Sequence, residues 1–204
     1  MTASLYLPTL SERLKKGTAS EHDRMEVLME KAAVFANKHN YAQHTLSQYY
    51  FQKDVEHLYH HPEVQKLIPD LDIRGRSQAA LQDLADLGLE PQCSDIATEK
   101  VGYPEALGWI YVSEGSTLGA AFLFKEAQSK LGLSAEFGAR NLAAYPEGRM
   151  RVWKRLKVAL DEANFSPEEQ DKVITGAMQG FARFGDLLES LEDLKSSLEL
   201  IGVC

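Results

Sequence analysis

The 204-residue chain is 44% hydrophobic and 25% charged, with a formal net charge of −8. This composition suits one soluble domain with a sizeable core, and its acidity excludes a general nucleic-acid binder. No apolar run approaches the ~20 residues of a membrane span, and no secretion-signal pattern opens the chain, so a cytoplasmic protein is expected. Cys93 and Cys204 suit a reducing compartment. Neither sits in a C-x-x-C pair, which excludes a zinc ribbon or a redox pair of that kind.

Strand signals are scarce and helix signals frequent, so the expected class is all-α, in one domain over 1–204 with its core at about 9–198. The first helix starts near Thr9 or Ser11, after Pro8, with Leu10 and Leu14 on one edge. Gly17 and Thr18 either interrupt it or bend it onward to about Phe35. In that continuation Met25, Leu28 and Met29 share the side of His22, which predicts an inward His22. Glu26, one turn on, is placed to take the ring's Nδ1 proton and leave Nε2 for a metal. A core histidine bonded to a carboxylate fits the same pattern.

A second helix covers about 40–59, with Tyr41, Leu46, Tyr50, Val55 and Leu58 inward. His57, His60 and His61 with Glu56 lack H-E-x-x-H spacing and read as solvated surface. Pro62 and Pro69 bracket a short helix at 63–67, and another runs over 77–87 to a Gly88 cap. Arg74 and Arg76 precede it in a polar turn, exposed by default. Residues 90–102 read as loop, 104–130 as a long helix, and 132–148 as loop. A helix over 149–163 opens with Arg149, Arg151, Lys154, Arg155 and Lys157, a basic run that reads as a solvated face, a grip on anionic groups or a dock for an acidic partner. Ser166, Pro167 and Glu169 form the N-cap, N1 and N3 of a last helix reaching about Leu198.

The most informative stretch lies inside the long helix. Gly115 and Gly119, with Ser116 and Thr117 between them, cost that helix roughly 2 kcal/mol. Bare backbone there suits either close helix packing or a flat ligand lying against the helix. A phosphate loop is excluded, since no strand leads in and no G-K-[ST] follows.

The blocks ALGWIYVSEGSTLGAAFLFK at 106–125 and FGARNL at 137–142, with His22 upstream, make the chain resemble haem oxygenase. The likeness covers about 14–188 and is greatest to the short bacterial members used for iron acquisition. It implies a single all-α domain with haem between a proximal helix and a kinked distal helix. His22 matches the proximal iron ligand, and Gly115, Ser116 and Gly119 match the distal positions over the haem. Lys15 and Tyr111 match residues that hold the propionates, Arg76 a distal arginine of the pocket's water network, and Phe181 an aromatic lining the cavity. Close members carry a histidine where this chain has Gln52 and a tyrosine where it has Phe184.

The implied reaction takes haem, O2 and electrons to biliverdin, ferrous iron and CO, with haem as both substrate and cofactor. It implies an external electron donor of ferredoxin or reductase type, for which the 149–157 run is a candidate dock. Retention of Lys15 and Tyr111 implies cleavage at the α-meso edge. A haem carrier or sensor on the same fold, which does not degrade its ligand, is the alternative.

Overall fold

The computed structural model describes residues 7–200, and the side chains of 7–190. Among them are eight α-helices: α1 (Leu10–Gly17), α2 (Ala19–Lys31), α3 (Lys38–His57), α4 (Pro62–Leu67), α5 (Ser77–Asp86), α6 (Glu105–Leu131), α7 (Arg149–Glu162) and α8 (Pro167–Leu200). Local chemistry fixes several of their ends. Thr9 and Glu12 form a reciprocal capping box at α1. Ser166 and Glu169 do the same at α8, through bonds of 2.8 and 3.2 Å. Thr18 breaks the chain between α1 and α2, its hydroxyl donating back to the Leu14 carbonyl at 2.9 Å. Gly88 and Gly132 sit at φ of +72° and +68°, the left-handed turn that suits glycine after a helix.

The 132–148 segment holds one 3-10 turn, Arg140–Leu142, and otherwise runs as irregular chain. On α3 the buried set includes Tyr41, His44, Thr45, Ser47, Gln52 and Asp54, so burial does not follow one apolar stripe. The reason is that α5, α6 and α8 all pack on this helix. Leu46 and Tyr50, expected inside, are half-buried. Tyr50 instead ties the 90–102 loop, donating to the Gln92 carbonyl at 3.1 Å and accepting from its N–H at 3.0 Å.

The most extensive helix pair is α6 with α8. A Cβ added at Gly108 would lie 2.0 Å from the Val173 carbonyl oxygen, and one at Gly176 would lie 2.0 Å from that of Glu105. The two backbones therefore touch here, and no side chain fits between them. Beyond this crossing α8 carries Phe181, Phe184 and Leu188 against Met25 and Leu28 of α2. Helix α6 meanwhile continues without interruption through Gly115 and Gly119. Helix α2 therefore leans on α8.

These glycines divide by function, and stability measurements separate them. Gly176→Ala is expected to destabilise by about 3 kcal/mol or more, because backbone must move to admit the methyl group. Gly119→Ala meets nothing within 4 Å and is expected to be neutral or to stabilise by up to about 1 kcal/mol. Urea unfolding of both variants checks the contrast.

Candidate functional site

His22, Glu26 and Met29 form one stripe along α2, and Gly115, Gly119 and Leu123 form one along α6. Met29 and Leu123 belong to the same apolar cluster, which is centred on Val34, Tyr41, Ala120 and Leu142. The C-terminal part of α2 and the part of α6 after Gly119 are thus joined through that cluster. Phe181 and Phe184 of α8 join the core to the α2 contact. On the α6 wall Ser116 and Gly119 are exposed, and Phe122 is 67% exposed. A Cβ at Gly115 would touch the Trp153 ring at 3.5 Å, in ordinary contact.

His22 corrects the expectation of an inward histidine: its side chain is 69% exposed. Met25 and Leu28 hold α2 on α8, and the His22 stripe lies beside that contact, not in it. Its Nδ1 stands 3.5 Å from a Glu26 carboxylate oxygen. Lys15 is exposed in the last turn of α1. Tyr111 is buried, its ring 5.0 Å from that of Trp153, and burial pushes its hydroxyl pKa up. Ser116 donates its hydroxyl proton to the Ser113 carbonyl at 2.6 Å, which leaves the oxygen's lone pairs available.

Arg74 overturns the exposed-turn expectation, and Arg76 reaches inward as well. Arg74, 1% exposed, donates to Asp70 at 2.9 and 3.0 Å and to Glu114 at 2.9 Å. Glu114 also accepts from the Tyr145 hydroxyl at 2.9 Å. Burial pushes that hydroxyl pKa up to about 12, so it donates throughout the physiological range. Asp70 continues the chain to Arg155, which also pairs with Glu147 at 2.5 Å. Arg76 donates to the Asn141 carbonyl at 2.7 Å and lies 4.3 Å over the Tyr145 ring. A buried ion network therefore backs the wall at the residue preceding Gly115. Sequence spacing gave no sign of it, because its members come from four separate segments.

The basic run is not a uniform solvated face either. Arg149 and Arg155 are tied to the protein, while Arg151 and Lys154 are exposed and line a groove of about 580 Å³ with Lys66. The Glu56 tract is also structural in part. Glu56 accepts from the backbone N–H of Arg76 and Ser77 at 2.6 and 2.7 Å and caps α5. The His61 ring contacts the Val101 carbonyl at 2.9 Å. Among the described residues no three potential ligands gather to hold a metal ion. Cys93 is exposed, and Cys204 lies outside the described residues.

A sequence profile described as Heme oxygenase matches residues 8–190. The heme oxygenase PigA of Pseudomonas aeruginosa is 44% identical over 181 residues, covering 88% of this chain and 91% of that protein. The chain belongs to the haem oxygenase family. Crystal structures of the NO- and CO-bound haem oxygenase of Neisseria meningitidis superpose with a TM-score of 0.81 at 40% identity, covering 90% of this chain and 92% of that one. Haem oxygenase-1 of the cyanobacterium Synechocystis, solved with haem, shares the fold at 16% identity, with a TM-score of 0.76 and coverage of 95% and 97%. The enzyme is thus a haem oxygenase with a single all-α domain, and oxidative degradation of haem is its chemistry. No described helix is long and apolar enough to cross a membrane.

One buried group of this haem oxygenase has no sequence signal. His44 of α3 is 3% exposed, sits edge-on to Phe184, and has neither ring nitrogen bonded. Burial lowers its pKa to about 4, so it is neutral in the native protein. The unfolded chain takes up this proton near pH 6.5, and the folded chain resists until about 4. The resulting stability is full above 6.5 and declines toward 4, by roughly 3 kcal/mol. His44→Leu is expected to flatten that decline, as read by urea unfolding at pH 7 and pH 4.5.

Proposed function

We propose that the cleft between α2 and α6 binds haem with His22 Nε2 on the iron. The enzyme then uses O2 and electrons from a ferredoxin- or reductase-type protein to give biliverdin, ferrous iron and CO, releasing iron for the cell. The observation that supports this reading is that Met29 of α2 and Ala120 and Leu123 of α6 pack into one apolar cluster, while Gly119 has open space beside it. A flat, largely apolar ligand suits such bare backbone. Phe122, one turn beyond Gly119 and 67% exposed, adds apolar surface there.

Bound haem supplies the iron that activates O2 and the ring that is oxidised. The chain's residues supply position and field. Glu26 orients the imidazole by accepting from Nδ1, which raises the basicity of Nε2. Gly115 and Gly119 keep acidic and basic side chains off the distal face, so protons arrive through ordered water. Ser116 accepts from such water with its free lone pairs. Arg76 holds a fixed positive charge behind the wall, anchored by the Asn141 carbonyl. The Lys15 ammonium and the protonated Tyr111 hydroxyl bind propionates and set the ring's rotation in its plane. The exposed Arg151 and Lys154, in a chain of net charge −8, suit the docking of an acidic donor.

Hemin titration tests the ligand assignment. The wild type is expected to give the absorption spectrum of a histidine-ligated haem, followed by bile pigment when reductant and O2 are added. His22→Ala should lose that spectrum while keeping its helical circular dichroism, with added imidazole restoring it. Gly119→Leu should exclude haem although the fold persists. An unchanged spectrum in His22→Ala would sink the assignment.

Product analysis tests the in-plane grip. Chromatography is expected to show the α isomer of biliverdin from the wild type. Replacing both Lys15→Asn and Tyr111→Phe should shift the product toward other isomers. Mainly β or δ product from the wild type contradicts the grip.

A further inference from the structure

We propose that Arg76 and Arg149 form a buried site for a small anion of chloride size, at the N-terminus of α7 behind the glycine wall. Arg76 is 8% exposed and its Nε, wholly buried, has no hydrogen-bond partner. Arg149 is the first residue of α7, and its Nη1 is likewise buried without a partner. The two guanidiniums are anchored on neighbouring carbonyls. Arg76 Nη1 donates to Asn141 at 2.7 Å, and Arg149 Nη2 donates to Leu142 at 2.6 Å. Burial and the charge of Arg76 both work against the positive charge of Arg149, in that order, so the pair is close enough to repel.

Among the described residues no carboxylate lies within ion-pair distance of either guanidinium, and Glu114, whose charge reaches Arg76, is shared with Arg74. Glu114 is engaged by Arg74 and by the Tyr145 hydroxyl. Glu56 accepts from the backbone N–H groups of Arg76 and Ser77 and from the Ser77 hydroxyl. Asp70 and Glu147 are taken by Arg74 and Arg155. Two like charges in a low-dielectric interior, each with an orphan N–H, need a counter-charge more than a neutral water.

The start of α7 adds to the same field. Its N-cap is Gly148, with no side-chain cap, and its first turn carries no acidic residue. Met150 beside it is 67% exposed, so the helix end borders solvent and gives an ion a route inward. A monatomic anion accepts from N–H donors without needing a matched set of oxygens, which suits one free donor from each arginine.

The site concerns the protein without haem, so its failure would leave the haem reading standing. Melting temperature is measured on the full chain at fixed ionic strength while sodium gluconate is replaced by sodium chloride. The wild type should show a saturable rise on the order of 2–4 °C, absent in Arg149→Gln. Crystals of the wild type grown with sodium bromide should give an anomalous peak between Arg76 Nε and Arg149 Nη1. An equal chloride response in both proteins, or wild-type crystals without that peak, overturns the proposal. If Arg149→Gln does not fold, the bromide crystal decides alone.

Discussion

Backbone contact between α6 and α8 sets the geometry of the helical packing. Gly108 and Gly176 let the two helices meet with no side chain between them. Val173 and Ala177 seal the crossing, and Trp109 and Val112 continue it toward Gly180. Past that point the helices serve different neighbours: α8 carries α2, and α6 packs on α7 and on the cluster around Val34, Tyr41 and Leu142.

The glycine-bearing stretch of α6 needs rigidity that its own residues cannot supply. Gly115 and Gly119 weaken the helix locally. Glu114, immediately before them, is fixed by Arg74 and Tyr145, and the ion chain runs on through Asp70 to Arg155. Taking those charges out of water is costly, and their mutual satisfaction offsets much of that cost. What the arrangement gives is position: the backbone that faces the cleft is held from behind by bonds that do not reach into it.

Local signals made most of the fold legible. Thr9 with Glu12, Ser166 with Glu169, and Gly88 each mark a helix end through chemistry that lies within a few residues. The glycines of α6 were legible as an anomaly, and the resemblance in 106–125 gave them a role. Tertiary facts were not legible. Gly108 and Gly176 are ordinary glycines in sequence, yet they are the ones that touch another backbone. Arg74 looks like a turn residue, and its burial depends on Glu114, forty positions away. The exposure of His22 was not legible either, because apolar neighbours at helical spacing show which face is buried, and His22 sits at the edge of that face, open to solvent.

The α6–α8 crossing is the first of three stations that hold α6. Gly119 lies eleven residues beyond Gly108, roughly 16 Å along the helix. Glu114 lies between the two and is bonded to Arg74 and Tyr145, so a swing at the crossing is arrested before it reaches Gly119. The far end is tethered through Leu123 and Phe124 to the cluster that includes Met29. A displacement of the glycine stripe is therefore a local bowing of the helix between Glu114 and Leu123, where the glycines make it softest, and not a rotation about Gly108.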